Sequence, residues 1–210
     1  PGVDTFHCAD MVPYMNALGW EEIHETTGPI ATRQTESVLT DRWKELGCLQ
    51  TYRDDYSERL KVSPTGDTWP SPMPEGEHAD DFVGRTAVEY LERQSGAQPF
   101  CLFVGFGGPH NPWDPPENWL SGYDAEQMDT WKRPTEPGPW VPEAAAAHQR
   151  SLQDPDRHPI TEETNGRVRA AYYAKCEHAD WWFGRIFRTL EERGLMDDTL
   201  IIFWSDHGEM

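Results

Sequence analysis

The chain has 210 residues, enough to bury a sizeable core, and its 37 acidic against 18 basic residues give a formal net charge of −19. That balance argues against a nucleic-acid backbone and against an anionic membrane surface as partners. The apolar runs at 100–106 and 200–204 are far too short to span a membrane, and four widely spaced cysteines (Cys8, Cys48, Cys101, Cys176) make neither a zinc knuckle nor a dense disulfide framework.

In chain order, residues 9–23 read as a short helix, a stop and a strand. Met11, Tyr14, Met15 and Leu18 share one face, Gly19 stops the helix, and Trp20 to Ile23 resumes extended structure. A second helix is expected at about 36–46, with Val38, Leu39, Trp43 and Leu46 as its apolar stripe, Thr35 as its cap and Gly47 as its end. Residues 50–60 continue helically, but Arg53, Asp54, Asp55, Glu58 and Arg59 make this mostly a solvated face. The proline- and glycine-bearing stretch 63–78 is a loop. Asp80 or Asp81 then caps a helix running to about Gln94, with Val83, Ala87 and Leu91 inward and Gly96 past its end.

The run from Pro99 to Phe106 is apolar and rich in aromatic and branched residues, so a buried strand is expected there. It passes at once into Gly107-Gly108-Pro109-His110-Asn111-Pro112. Residues 111–160 hold nine of the eighteen prolines and little periodicity, yet Trp113, Trp119, Trp131 and Trp140 argue against plain disorder. A substrate-facing lid or wall fits that composition. A long helix follows at about 162–193, with Val168, Tyr172, Cys176, Ala179, Phe183, Ile186 and Leu190 on one face and Gly194 as its stop. Lys175, His178 and Asp180 lie on it and read as solvated or salt-paired. Cys101 and Cys176 fall within apolar patterns, so buried free thiols are expected.

The chain closes on a second apolar run, Leu200 to Trp204, followed by Ser205, Asp206, His207, Gly208 and Glu209. Strand, crossover, long helix, strand is the grammar of a mostly parallel sheet. Ligand sites in such sheets lie just beyond the carboxyl ends of the strands. There Asp206 offers a hard oxygen and His207 a nitrogen to a divalent metal ion. The alternative for the pair is a helix cap beside a surface imidazole. If both strands belong to one sheet, His110 and His207 face the same crevice. The acidic balance does not exclude an anionic substrate, because one metal ion with a few basic groups reverses the local sign of a pocket.

Several stretches together resemble the sulfatases of the alkaline phosphatase superfamily, most clearly over residues 80–210. They are Phe100 to Pro116, Ala171-Tyr172-Tyr173 with Asp180 and Gly184-Arg185-Ile186, Leu190 to Leu195, and Asp198 to Glu209. The resemblance implies an α/β/α sandwich with a mostly parallel central sheet, and hydrolysis of a small-molecule or saccharide sulfate ester. It also implies a formylglycine nucleophile made from a Cys/Ser-x-Pro-x-Arg motif. A divalent cation, usually calcium, is held by two early aspartates and by an Asp-Asn or Asp-His pair. Asp206 and His207 match that pair, and His110 matches the histidine that hydrogen-bonds the sulfate or its leaving oxygen. The histidine in place of asparagine makes manganese or zinc alternatives to calcium.

Neither the nucleophile motif nor the early aspartate pair occurs in this sequence. The expectation is therefore a piece of one catalytic domain, truncated at both ends and inactive by itself, with 111–160 as a substrate-facing insert. Two other functions share these residues: a phosphonate monoester or phosphodiester hydrolase of the same superfamily, and a non-catalytic module that binds sulfated glycans.

Overall fold

In the computed structural model, which describes residues 12–62, 68–129, 139–152 and 162–206, the described residues form eight α-helices joined by turns and irregular segments. They are α1 (Val12–Ala17), α2 (Pro29–Thr32), α3 (Val38–Glu45), α4 (Leu49–Val62), α5 (Ala79–Glu92), α6 (Glu117–Leu120), α7 (Glu143–Leu152) and α8 (Glu162–Glu192). Their ends obey local chemistry. Gly19, Gly47, Gly96 and Gly194 adopt φ values of 96°, 72°, 73° and 65°, the left-handed conformation that glycine takes without a Cβ penalty. Ser37 rather than Thr35 caps α3: its side chain accepts from the Thr40 backbone N–H, and the Thr40 hydroxyl oxygen accepts in return from the Ser37 N–H. His78 caps α5 in the same reciprocal way, with Asp81 at the third position.

Two cores result. The first joins α3 to α4 through Leu39, Trp43, Cys48, Leu49, Tyr52, Tyr56 and Met73. The expectation that α4 presents mostly a solvated face fails, because Leu49, Tyr52, Tyr56 and Arg59 recur at helical spacing on its buried side. Arg59 is fully buried and fully engaged. Its Nε donates to Asp55 at 2.6 Å, its terminal nitrogens donate to the Trp69 and Pro70 carbonyls at 2.9 Å each, and its guanidinium lies over the Trp69 ring.

The second core packs α5 on α8 through Ala87, Val88, Leu91, Trp182, Ile186, Leu190 and Leu195, with Phe100, Leu102, Val104 and Phe106 against it. The α8 face is rotated from the one its apolar residues suggest. Ala171, Ala174, Lys175, His178, Trp182 and Ile186 are buried, whereas Val168, Tyr172 and Cys176 are half-exposed. Small residues and paired polar residues join Trp182 and Ile186 in the tight contact. Gly84 makes the closest approach, for a Cβ there would lie 2.1 Å from the Trp182 ring. Cys101 is exposed and Cys176 half-buried, against the buried thiols expected.

The expected α/β/α sandwich is not observed: among the described residues there is no strand and no sheet. A strand exists through a ladder of N–H and C=O pairs with a neighbour, and neither apolar run makes one. The two runs instead meet through side chains, with the Phe103 and Trp204 rings 5.8 Å apart and Phe183 of α8 touching both Phe106 and Phe203. A buried parallel strand is covered on both faces. Leu200, Ile202, Phe203 and Trp204 are 85%, 66%, 71% and 60% exposed.

Two outcomes follow for stability. Gly84→Ala forces Trp182 off α5 and should lower the unfolding free energy by about 1–3 kcal/mol in urea denaturation. Hydrogen bonding to Arg42, with Arg85 beside it, holds the Glu77 carboxyl below the usual glutamate range against the opposing effect of burial. A depressed folded pKa means the stabilisation is complete above the unfolded value of about 4.3 and is lost as pH falls through the lower folded value. The stability gap between wild type and Glu77→Gln should therefore shrink as acid unfolding is followed downward from neutral pH.

Candidate functional site

His110 sits in the turn after the first apolar run, between cis peptide bonds at Gly108–Pro109 and Asn111–Pro112. The turn is fastened from two helices. The Asp80 carboxylate, at the start of α5, accepts from the Gly107 and Gly108 N–H groups at 3.0 and 3.1 Å. Lys175 of α8 donates from Nζ to the His110 and Pro112 carbonyls at 3.1 and 3.0 Å, and stands 3.5 Å from the Asp114 carboxylate. Only glycine fits at position 108, where a Cβ would lie 2.5 Å from Asp80 Oδ2. The His110 Nδ1 donates to the Asn111 carbonyl, so Nε2 is the nitrogen that would gain or give up a proton.

His110 lines a cleft of about 590 Å³ together with His78, Asp80, Asp114 and Lys175, walled by Trp43, Tyr52 and Thr27. Thr27 has φ +57°, an uncommon conformation for a β-branched residue and one that costs about 1–3 kcal/mol. Strain of this size persists where surroundings over-determine it, and Thr27 bonds to the Thr32 hydroxyl and the Thr26 carbonyl. A smaller cleft is lined by Phe82, Ala87 and Leu102 together with the hydrogen-bonded pair Glu22 and His24.

The cleft runs into a buried polar cluster. His78, Asp80, Asp81, Asp114, Lys175 and His178 are each at most 6% exposed. The Asp81 Oδ1 accepts from His178 Nε2 at 2.6 Å and from the Trp182 indole N–H at 2.9 Å, while its Oδ2 accepts from the His78 backbone N–H at 3.1 Å. Burial pushes the Asp81 carboxyl up, but the His178 hydrogen bond and charge outweigh it and the net shift is downward. Asp114 behaves alike: burial raises it, and Lys175 with His78 brings it below the ordinary aspartate range. Within this cluster one ligand atom each from His78, Asp80 and His178 lies within 4.8 Å of the others.

The residues singled out from sequence are placed unequally. His110 is in the cleft. Asp206 is exposed and does not line it, and His207 lies outside the described residues. Without a shared sheet, convergence of His110 with the Asp206–His207 pair loses the basis on which it was expected. From sequence, Lys175 and His178 read as solvated or salt-paired. They are salt-paired, to Asp114 and Asp81, but buried. The signal for them was present: Ala171, Ala174, His178 and Trp182 recur at helical spacing with small residues among them, the mark of a close helix contact. Asp114, in the Trp-Asp-Pro-Pro run, carried no such signal.

The family model described as Sulfatase matches residues 19–210, and the chain belongs to that family. It is 30% identical over 135 residues to an arylsulfatase of Clostridium perfringens, covering 63% of this chain and 27% of that protein. It is 32% identical over 136 residues to a choline-sulfatase of Rhizobium meliloti, covering 61% and 26%. It is 31% identical over 155 residues to the multifunctional alkaline phosphatase superfamily protein PehA of Trinickia caryophylli, covering 67% and 29%. The chain thus spans about a quarter of the length of the curated relatives it matches.

Lys175→Met removes the lysine from this cluster, leaves Asp114 with His78 as its cationic neighbour and takes the ammonium from the His110 and Pro112 carbonyls. It should cost about 3–5 kcal/mol of stability, with part recovered in the Lys175→Met/Asp114→Asn double variant, as read from a urea-denaturation cycle.

Proposed function

We propose that the whole protein hydrolyses a sulfate ester at a divalent-cation centre to which this chain contributes His110, Asp206 and His207. The sulfatase family match over residues 19–210 carries this reading. A sulfate monoester is anionic, and attack at sulfur spreads charge over the non-bridging oxygens. The cation supplies electrostatic stabilisation of that charge. Asp206 as a carboxylate and His207 as an imidazole fit a divalent ion, calcium by family resemblance, with manganese or zinc compatible with the nitrogen donor.

His110 binds a sulfate oxygen or protonates the departing alkoxide from Nε2. Its ring is aimed by the Asn111 carbonyl, and its backbone is held by Lys175 and Asp80. That rigidity is what a positioned donor needs. The described residues within 111–160 contribute to a wall that selects the alcohol or sugar, and 130–138 and 153–160 lie outside the described residues. Pro112 and Asp114 already line the cleft, and Trp119 packs against α8 through Trp181 and His178. The sequence has no Cys/Ser-x-Pro-x-Arg motif, so the nucleophile is assigned to no residue of this chain.

A second reading, a phosphonate monoester or phosphodiester hydrolase, uses the same three residues. The similarity to a relative named as multifunctional favours testing it. In the whole protein, His110→Ala should lower kcat/KM for aryl sulfates by about 10²- to 10⁴-fold, with the larger losses on poor leaving groups. Unchanged turnover in that variant rejects the role of His110. A kcat/KM higher on aryl phosphonates than on aryl sulfates selects the second reading. Sulfated-glycan binding without turnover of either ester class rejects hydrolysis altogether.

A further inference from the structure

Two buried atoms have no hydrogen-bond partner in a cluster that is otherwise well connected: Asp80 Oδ2 and His178 Nδ1. Their residues are 1% and 0% exposed. Both atoms are electron-pair donors. The carboxylate of Asp81 can only accept, so His178 Nε2 carries a proton, and in the neutral ring Nδ1 presents a lone pair. Close by, His78 Nδ1 accepts from the Asp80 backbone N–H at 3.2 Å and lies 3.6 Å from Asp80 Oδ2. Burying lone pairs with nothing to receive them is costly.

We propose that His78, Asp80 and His178 bind a divalent transition-metal ion, zinc in preference to calcium, at an interior site separate from the Asp206–His207 pair. Two imidazole nitrogens and one carboxylate oxygen, with a fourth position for water, make a tetrahedral set suited to zinc, which His78 Nδ1 joins by giving up its bond from the Asp80 N–H. Calcium requires six or more oxygens. On a tetrahedral ion with bonds of about 2.0–2.1 Å, ligand atoms stand roughly 3.4 Å apart. The His78–Asp80 pair is at 3.6 Å, and the triad as a whole, spread over at most 4.8 Å, closes by about an ångström on loading.

The surroundings support the ion in three ways. First, negative charge is concentrated here: Asp80, Asp81 and Asp114 bring three buried carboxylates, faced by Lys175 and by the ionisable imidazoles of His78 and His178. A divalent cation stabilises such a group of carboxylates. Second, each imidazole is backed by a carboxylate, His178 Nε2 by Asp81 at 2.6 Å and His78 Nε2 by Asp114 at 3.6 Å. That outer arrangement orients metal-binding histidines and raises their basicity. Third, the Trp119 indole stacks on the His178 ring at 5.3 Å and shields it from solvent. Asp80 uses its other oxygen to hold Gly107 and Gly108, so the ion would staple α5 and α8 to the turn that carries His110.

The test uses the whole protein, stripped with a chelator, dialysed and titrated with zinc alone. One zinc per chain should be lost in His78→Asn and in His178→Asn and retained in Asp206→Asn. Asn at position 78 keeps an N-cap acceptor for α5, so loss of zinc there is not loss of the helix start. Asp81→Asn should weaken zinc by about 10- to 100-fold without abolishing it. Zinc should raise the Tm of wild type and not of the two histidine variants. If His178→Asn does not fold, cobalt substitution of wild type gives a readout without a variant: intense visible absorption bands of tetrahedral cobalt that are quenched by zinc. The site is rejected if cobalt gives no tetrahedral spectrum, if zinc is retained in His78→Asn, or if calcium raises the Tm as much as zinc does. Zinc lost from Asp206→Asn alone would assign the metal to the other pair and reject the interior site while leaving the proposed hydrolysis intact.

Discussion

The carboxylate of Asp81 is the constraint from which the interior is built. It accepts from His178 and Trp182 on α8 and from the backbone N–H of His78 at the start of its own helix. Three donors converge on one buried anion, and each fixes something different. The bond to the His78 N–H closes the α5 cap. The bond to Trp182 sets the indole that Gly84 lets approach, and so the spacing of α5 and α8. The bond to His178 decides which ring nitrogen carries the proton. Were the anion absent, the cap, the helix contact and the tautomer would all be unspecified at once. Charge-assisted hydrogen bonds of this kind outweigh the penalty of burial, which is why the group stays ionised.

Asp80, the preceding residue, faces the other way and extends the same logic to the cleft. Its oxygen on the Gly107 and Gly108 amides does for the His110 turn what Asp81 does for α8. Lys175 completes the frame from beneath by taking two carbonyls of that turn. The flanking helices thus hold the turn that carries His110 through side chains rather than through a sheet. Asp206 is exposed and apart from this cleft, whereas His78, Asp80 and His178 are buried beside it.

How much of this was legible from the sequence divides along the range of the interactions. Helix ends were readable because a positive φ at Gly19, Gly47, Gly96 or Gly194 is settled within a few residues. The existence of α3, α5 and α8 was readable from 3.6-residue periodicity. The face that α8 buries was not, because Lys175 and His178 count as solvent-facing until their partners Asp114 and Asp81 are known. Arg59 misled in the same way, since its burial depends on carbonyls of Trp69 and Pro70 that no local pattern foretells. The strand assignments failed for a related reason. Composition marks a segment as able to pair, but a ladder needs a neighbour, and Phe103 meets Trp204 by ring contact alone. His110 was legible because proline and glycine on both sides mark an ordered turn, while the cluster behind it joins residues that local sequence keeps apart.

The reach of the polar links also bears on the order in which the molecule assembles. The Asp80–Gly107 bond closes a span of 27 residues, Lys175–His110 one of 65, His178–Asp81 one of 97 and Trp182–Asp81 one of 101. Helices form from neighbours, but loop-closure entropy must be overcome before such distant partners reward each other. The cleft is thus expected to set late, after α5 and α8 exist as separate rods. Until then its acids and imidazoles remain hydrated, and their charges are shut away from water only in the last stage of collapse.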